Sequence, residues 1–176
     1  MHQHEIAPLI TEEKIQKKIK EIGATLTKQL KGKDPVVICI LKGSIVFYSD
    51  LIRHIDTDIT CEFLGLSSYA NSNKTSGEVK LTMDINSSVK NRHIVIVEDI
   101  VDTGLTLNYI HKLMKAREPK SITTVSLLLK PDALKEKCEL DHVGFEIPND
   151  FVVGYGLDYA GHYRNLPYIG QIATLI

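Results

Sequence analysis

Residues 94–106 read Ile-Val-Ile-Val-Glu-Asp-Ile-Val-Asp-Thr-Gly-Leu-Thr, and this stretch is the most informative segment of the chain. Its first four residues are apolar and β-branched, a composition typical of a strand buried on both faces. The strand leads to two adjacent carboxylates, Glu98 and Asp99. A third carboxylate, Asp102, opens a short turn with a helix after it. The segment therefore predicts a strand, a polar turn and a helix in succession.

The turn at 103–106 leaves backbone N–H groups exposed at a helix N-terminus, an arrangement that binds anions and usually phosphate. Carboxylates beside a phosphate site would repel it unless they had another function. Glu98 and Asp99 can accept hydrogen bonds from sugar hydroxyls and hold Mg²⁺ through its waters. The segment thus predicts a site for a phosphorylated sugar. The alternative is a plain helix N-terminus capped by Asp102, because Asp and Thr are good caps.

Composition limits the classes of protein to which the chain can belong. Its 176 residues suggest one domain over 1–176, and 43% hydrophobic with 24% charged residues is ordinary for a globular protein. A net charge of −1 argues against a nucleic-acid partner. The longest strongly apolar run, 36–41, is far short of the ~20 residues that span a bilayer, so no membrane association is expected. Three cysteines without CxxC spacing fit neither a disulfide framework nor a zinc site, which favours the cytoplasm.

Hydrophobic periodicity predicts helices that alternate with strands. The expected helices lie at 12–32, 44–54, 106–116 and 132–137. The expected strands lie at 36–41, 59–66, 79–85, 94–97, 121–129, 151–153 and 169–176. This order predicts an α/β fold with a mostly parallel sheet covered on both faces, in which ligands bind at the carboxyl ends of the strands. Lys42, Glu98 and Lys130 each end a strand, so we expect them to meet in one cleft.

The stretch 94–106 also resembles the thirteen-residue fingerprint of phosphoribosyltransferases, in the form found in the hypoxanthine-guanine branch. Further motifs follow in family order. Leu41-Lys42-Gly43-Ser44 is similar to the pyrophosphate loop, in which the Leu-Lys bond can be cis. Ser68-Tyr69, at the start of the polar stretch 67–78, is similar to a pair in a mobile lid loop. The resemblance implies a type I phosphoribosyltransferase fold, with a mostly parallel central sheet flanked by helices, a small hood and a flexible loop.

The resemblance also implies a function for individual residues. Pyrophosphate would be bound by Lys42, Gly43, Ser44 and Arg164. Ribose 5-phosphate would be bound by Glu98, Asp99, Asp102, Thr103, Gly104, Leu105 and Thr106. The purine would be bound by Lys130, Phe151, Val152 and Asp158, and a metal by Glu98, Asp99 and Asp158. At Leu105 some family members carry lysine, so this chain has one positive charge fewer there.

Several of these residues have a plainer interpretation when each is taken alone. The loop at 41–44 can be a tight turn that happens to contain a lysine, and Ser68-Tyr69 can belong to a disordered linker. Lys130 can be a solvated lysine at a strand end, and Arg164 a surface arginine. Phe151 and Val152 can belong to a core strand.

The activity that the resemblance implies is purine salvage. Asp102, as general base, would help join hypoxanthine or guanine to phosphoribosyl pyrophosphate, with Mg²⁺ as cofactor and in a homodimer or homotetramer. A transferase for xanthine, adenine or orotate is a first alternative, although Lys130 and Phe151 favour a 6-oxopurine. A regulator that senses phosphoribosyl pyrophosphate and binds RNA or DNA is a second, but the sequence has neither a basic face nor an added DNA-binding module.

Overall fold

The computed structural model describes residues 5–68 and 79–172. Its helices are α1 (Glu12–Leu30), α2 (Ile45–Ile52) and α3 (Leu105–Lys115). Its strands are β1 (Ile6–Ile10), β2 (Val36–Leu41), β3 (Thr60–Ser68), β4 (Val79–Met83), β5 (His93–Val101), β6 (Ser121–Leu129), β7 (His142–Glu146), β8 (Val152–Val153) and β9 (Ile169–Ile172). They form a six-stranded sheet in the order β4-β3-β2-β5-β6-β7 and a three-stranded sheet in the order β1-β9-β8.

The central sheet is mostly parallel, as predicted. Strands β3, β2, β5, β6 and β7 run in one direction, and β4 pairs with β3 in the opposite direction. Strand β5 extends beyond the expected 94–97, because β6 continues to pair with it from Glu98 to Val101. The two adjacent carboxylates therefore lie within the last part of a strand, where its backbone holds them firmly, rather than in a loop after it.

Both faces of the sheet are buried, which explains why β2 and β5 are apolar at consecutive positions. Val37 and Cys39 of β2 pack with helices α1 and α2, and Val36 and Ile38 pack on the opposite side with α3. Side chains alternate between faces along a strand, so each strand contributes to two separate cores. Within the described residues no helix is both long and apolar enough to cross a membrane.

Helix α1 matches its prediction closely. The hydroxyl of Thr11 accepts a hydrogen bond from the Lys14 backbone N–H at 3.4 Å, which caps the first turn. Five residues at helical spacing are buried, as expected: Ile15, Ile19, Ile22, Leu26 and Leu30. The helix ends at Leu30, two residues before Gly32, which adopts a left-handed φ of 72°.

The three-stranded antiparallel sheet, which we call the hood, joins β1 to the C-terminal part of the chain. The expected strands at 151–153 and 169–176 correspond to β8 and β9, and residues 173–176 lie outside the described part. Strands β1 and β7 were missed. The helix predicted over 132–137 was wrong: a three-residue 3-10 turn, Pro131–Ala133, stands there, since the next residue, Leu134, is extended at φ −60° and ψ 122°.

Candidate active site

A cavity of about 360 Å³ opens at the carboxyl ends of β2, β5 and β6 and is closed on one side by the hood. Its lining includes most of the residues selected from the sequence: Lys42, Gly43, Glu98, Asp99, Asp102, Thr106, Lys130, Phe151, Val152, Asp158 and Arg164. A second cavity, of about 260 Å³, shares the acidic residues and continues around the turn at 102–104 to α3. The structure therefore brings the strand-end acids, the lysines and the turn together.

Glu98 is buried, and one of its two carboxylate oxygens is unpaired among the described residues. Its Oε2 receives no hydrogen bond from any residue that the structure describes. Burial raises the pKa of Glu98 well above its usual range, and the neighbouring Asp99 carboxylate adds to this. A buried carboxylate with an unpaired oxygen is costly, so the site would gain from a cation.

Asp99 faces the cavity beside Glu98. Burial raises the pKa of Asp99 to about 6, although the backbone N–H of Ile100, 2.8 Å from Oδ1, and the Arg164 guanidinium oppose the change. Among the described residues, no three His, Cys, Asp or Glu side chains are grouped as a metal cage. The pair Glu98 and Asp99 fits Mg²⁺, because that ion usually takes only one or two protein carboxylates and completes its coordination with water and substrate oxygens.

Two glycines bring three segments into direct contact beside this pair. A Cβ atom at Gly43 would overlap Oδ2 of Asp99, and a Cβ at Gly156 would overlap the carbonyl oxygen of Gly43. The Leu41–Lys42 peptide bond in the same loop is cis. The 41–44 loop thus passes between the end of β5 and the turn at 154–158 with no room for a side chain, and its backbone forms the cavity wall.

The turn before α3 presents backbone N–H donors at a helix N-terminus, of which the N–H of Leu105 already donates to the Thr103 hydroxyl at 3.4 Å. Gly104, with a φ of 83°, is the N-cap, and no side chain caps the helix. The alternative in which Asp102 caps it is therefore wrong. The carbonyl of Thr103 accepts hydrogen bonds from the backbone N–H groups of Lys135 and Glu136, at 3.1 and 3.3 Å, which fixes the turn from behind. The uncapped N-terminus of an eleven-residue helix faces the second cavity, and this geometry suits a phosphate group.

Lys130 is not a solvated lysine. Its side chain is only 9% exposed, and its Nζ lies 3.6 Å from Oδ2 of Asp102. Its backbone N–H donates to the carbonyl of Val101 at 2.9 Å, which continues the β5–β6 pairing by one residue. Across the cavity, Phe151 is 56% exposed and meets Tyr159 edge to face, with ring centroids 5.6 Å apart. A buried ammonium and an exposed aromatic ring on one cavity suit a flat, oxygen-bearing heterocycle.

Asp158 and Arg164 form an ion pair of 2.5 Å, and a second nitrogen of Arg164 donates to the carbonyl of Gly156. Asp158 also accepts a hydrogen bond from the Gly161 backbone N–H at 2.8 Å. Because both side chains line the cavity, Arg164 is more than an isolated surface arginine. The pair brings a cation close to the acids of β5.

Some residues selected from the sequence lie elsewhere. Ser44 is fully buried, and its hydroxyl donates to the carbonyl of Ile40, so its side chain faces away from the cavity and only its backbone remains available. Leu105 lines neither cavity, so its side chain contributes to neither. Ser68 ends β3, and Tyr69 with the rest of the expected lid lies outside the described residues.

The sequence analysis also missed residues that shape the site. Leu157 lines the cavity, and Gly156 supports its wall. The Gly-x-Gly spacing at 154–156 was the only available signal, and it does not reveal which backbone the second glycine approaches.

Comparison with known proteins agrees with this geometry. Residues 9–160 match the family model of the phosphoribosyl transferase domain. A hypoxanthine-guanine phosphoribosyltransferase of Bacillus subtilis is 53% identical over 100% of this chain and 98% of its own length. The crystal structure of a Staphylococcus aureus hypoxanthine phosphoribosyltransferase is 48% identical, with a TM-score of 0.90 over 94% of this chain and 90% of that one. A Bacillus anthracis hypoxanthine-guanine phosphoribosyltransferase structure is 44% identical, with a TM-score of 0.91 over 96% and 100%. The chain therefore belongs to the phosphoribosyltransferase family, within its hypoxanthine-guanine branch.

Proposed function

We propose that the chain is a purine-salvage enzyme that transfers the phosphoribosyl group of phosphoribosyl pyrophosphate to hypoxanthine and guanine. The observation that carries this proposal is a pair of adjoining cavities that share the acidic strand end, one of which reaches a buried lysine and the other an uncapped helix N-terminus. Each of these features suits one part of the two substrates. The similarity to transferases of these bases over the whole chain supports the same choice.

The reaction breaks the bond from C1′ to the pyrophosphate oxygen, and the electron pair leaves with pyrophosphate. A nitrogen of the purine imidazole ring forms the new bond to C1′, and the proton of the purine passes to a carboxylate that acts as general base. Asp102 suits that function because its carboxylate lines the cavity between Lys130 and the phosphate turn. A positioned base of this kind contributes about 10²–10⁴-fold in rate.

The remaining residues orient the substrates and stabilise charge. The turn at 103–106 would hold the 5′-phosphate on its N–H groups, and Glu98 and Asp99 would accept hydrogen bonds from the ribose hydroxyls. Lys42 and Arg164 would balance the charge that develops on pyrophosphate. Lys130 would donate to the exocyclic oxygen of the base, with Phe151 against its ring.

Glu98 and Asp99 would hold one Mg²⁺, for which the unpaired oxygen of Glu98 and the raised pKa of Asp99 provide the local support, and Asp158 would serve a second ion. When bound, the ion supplies positive charge that stabilises the leaving pyrophosphate. Its entry would favour ionisation of both β5 carboxyls, since a nearby cation lowers the pKa of an acid.

A turnover assay with hypoxanthine, guanine, xanthine and adenine tests the proposal. Each base is supplied with phosphoribosyl pyrophosphate and Mg²⁺, and nucleotide formation is followed by absorbance. Hypoxanthine and guanine should react, and adenine should be nearly inert. Turnover of adenine at the rate of hypoxanthine would refute the 6-oxopurine assignment, and no turnover of any base would refute the proposed activity.

A further inference from the structure

The turn at 154–158, which leads to Asp158 and Arg164, is joined to helix α2 by a part-buried side-chain hydrogen bond. The hydroxyl of Tyr155 donates to Oδ2 of Asp50, and Nε2 of Gln16 donates to the same oxygen at 2.8 Å. Arg53 donates to the other carboxylate oxygen at 2.7 Å. Tyr155 is only 3% exposed and the Asp50 side chain 18%, so this contact is partly shielded from water.

Helix α2 begins one residue after Ser44, at the end of the pyrophosphate loop 41–44, and carries Asp50 in its last turn. A displacement of Asp50 would therefore move the loop, since a helix behaves as a rigid element over eight residues. Tyr155 lies in the turn at 154–158, and a displacement of its side chain would move that turn. Its backbone N–H donates to the carbonyl of Leu166, and the next residue, Gly156, donates to the carbonyl of Arg164 at 2.9 Å.

The two segments also touch through their backbones, because Gly156 lies directly on the carbonyl of Gly43. Neither glycine has a side chain, so this contact sets how closely the segments approach but supplies no side-chain hydrogen bond between them. The hydrogen bond between Tyr155 and Asp50 is the directional contact that sets their relative position. Burial raises the pKa of the Tyr155 phenol, so it remains a donor throughout the neutral pH range.

We propose that Tyr155 and Asp50 are positioning residues for the pyrophosphate half of the site: their hydrogen bond holds Arg164 and Asp158 in register with the backbone of the 41–44 loop. Neither residue lines the cavity. The inference rests on the proposed function, in which this loop and Arg164 bind the pyrophosphate of the substrate. Lys130, Phe151 and Val152, which would bind most of the purine, lie outside this contact, so the affinity for the purine should fall much less than the affinity for pyrophosphate.

The variant Tyr155→Phe tests the proposal, since it removes one oxygen atom and keeps the buried ring. Its matched control is Tyr48→Phe. Tyr48 lies on helix α2, as Asp50 does, is 2% exposed, and loses in this variant a hydrogen bond of 3.1 Å to the backbone carbonyl of Val37. Three quantities are measured on each protein: the KM for phosphoribosyl pyrophosphate, the KM for hypoxanthine, and the calorimetric affinity for inorganic pyrophosphate with Mg²⁺.

We expect Tyr155→Phe to weaken the affinity for pyrophosphate and to raise the KM for phosphoribosyl pyrophosphate by roughly tenfold, as for a lost hydrogen bond to a charged group. The KM for hypoxanthine should stay near the wild-type value. The separate variant Asp50→Asn retains an acceptor for Tyr155 and should keep most of the wild-type affinity for pyrophosphate. Tyr48→Phe should change neither KM, although its melting temperature falls.

Two outcomes would overturn the positioning role. One is an unchanged affinity of Tyr155→Phe for pyrophosphate, and the other is an equal loss in Tyr155→Phe and Tyr48→Phe, which would mark a general effect of stability. The calorimetric measurement needs no turnover. A wild-type protein that binds pyrophosphate but converts no purine would therefore refute the proposed function and leave the positioning role supported.

Discussion

Replacement of Lys130 by alanine should change which bases the enzyme accepts. In the structure the Lys130 side chain is only 9% exposed, so water has little access to its ammonium. The ammonium is therefore a donor at the end of the cavity where we propose that the purine binds. In the proposed binding mode, hypoxanthine and guanine would present an oxygen to this donor. Adenine presents an amino group there, which leaves a partly desolvated charge without an acceptor.

Two contributions determine the size of the effect. A hydrogen bond from a charged donor contributes ~1.5–3 kcal/mol, and each ~1.4 kcal/mol is a factor of ten, which together correspond to about 10- to 150-fold in kcat/KM. The variant also removes the cation that lies 3.6 Å from Asp102. Because the Asp102 side chain is 48% exposed, water screens that pair, and its loss contributes less than ~1 kcal/mol. The lost hydrogen bond to the base therefore dominates.

The assay compares kcat/KM for hypoxanthine and adenine in the wild type and in Lys130→Ala. The kcat/KM for hypoxanthine should fall about 10- to 150-fold. The kcat/KM for adenine should not fall with it, so the preference for hypoxanthine over adenine should shrink. Lys120→Ala is the matched control, because Lys120 is exposed and precedes the same strand that Lys130 follows. An equal loss on both bases would refute the reasoning, since it would indicate that Lys130 supports the site as a whole without reading the base.

Asp102→Asn should lower kcat by about 10²–10⁴-fold with little change in either KM, because only proton removal is lost; steady-state kinetics that match the wild type would exclude the role as base. Gly43→Ala should lose most of the affinity for phosphoribosyl pyrophosphate, because its Cβ would overlap the Asp99 carboxylate; a normal KM in this variant would contradict the close packing. Burial lowers the pKa of His111, and the Glu139 carboxylate opposes this only in part. The contribution of His111 to stability should therefore be complete above the unfolded value of ~6.5 and decline as the pH falls toward the folded pKa. Melting temperature against pH should show this slope, and His111→Gln should remove it.

Much of the fold could be predicted because its elements carry strong local patterns. Helix α1 has a cap and apolar residues at helical spacing, β2 is an apolar run, and β6 combines β-branched residues with a final run of three leucines. Strands β1 and β7 have neither signal: β1 contains Pro8, β7 contains Gly144, and both are largely part-exposed. They are strands because neighbouring strands supply their hydrogen bonds, and that information is not local.

Part of the candidate site could likewise be predicted from the sequence, and part of it could not. Lys42, Glu98 and Lys130 could be placed together, because parallel strands end at one edge of a sheet. The burial of Ser44 followed from the packing of α2 on β2, which no spacing reveals. The contact of Tyr155 with Asp50 joins residues 105 positions apart, and the sequence around each of them has no feature that indicates the other.

The hood has a consequence for how a purine enters and leaves. In the described part of the chain it shares no strand with the central sheet, and β8 contributes only two residues to it. The hood residues Ile10, Val152 and Ile169 pack on the core that β2 and β5 share. We expect the hood to open locally while the strands that carry Glu98 and Lys130 stay paired, at a free energy below that of global unfolding. A base held against Val152 would be released whenever β8 separates, so the lifetime of the bound purine and the amide-exchange protection of Val152 and Val153 should rise and fall together.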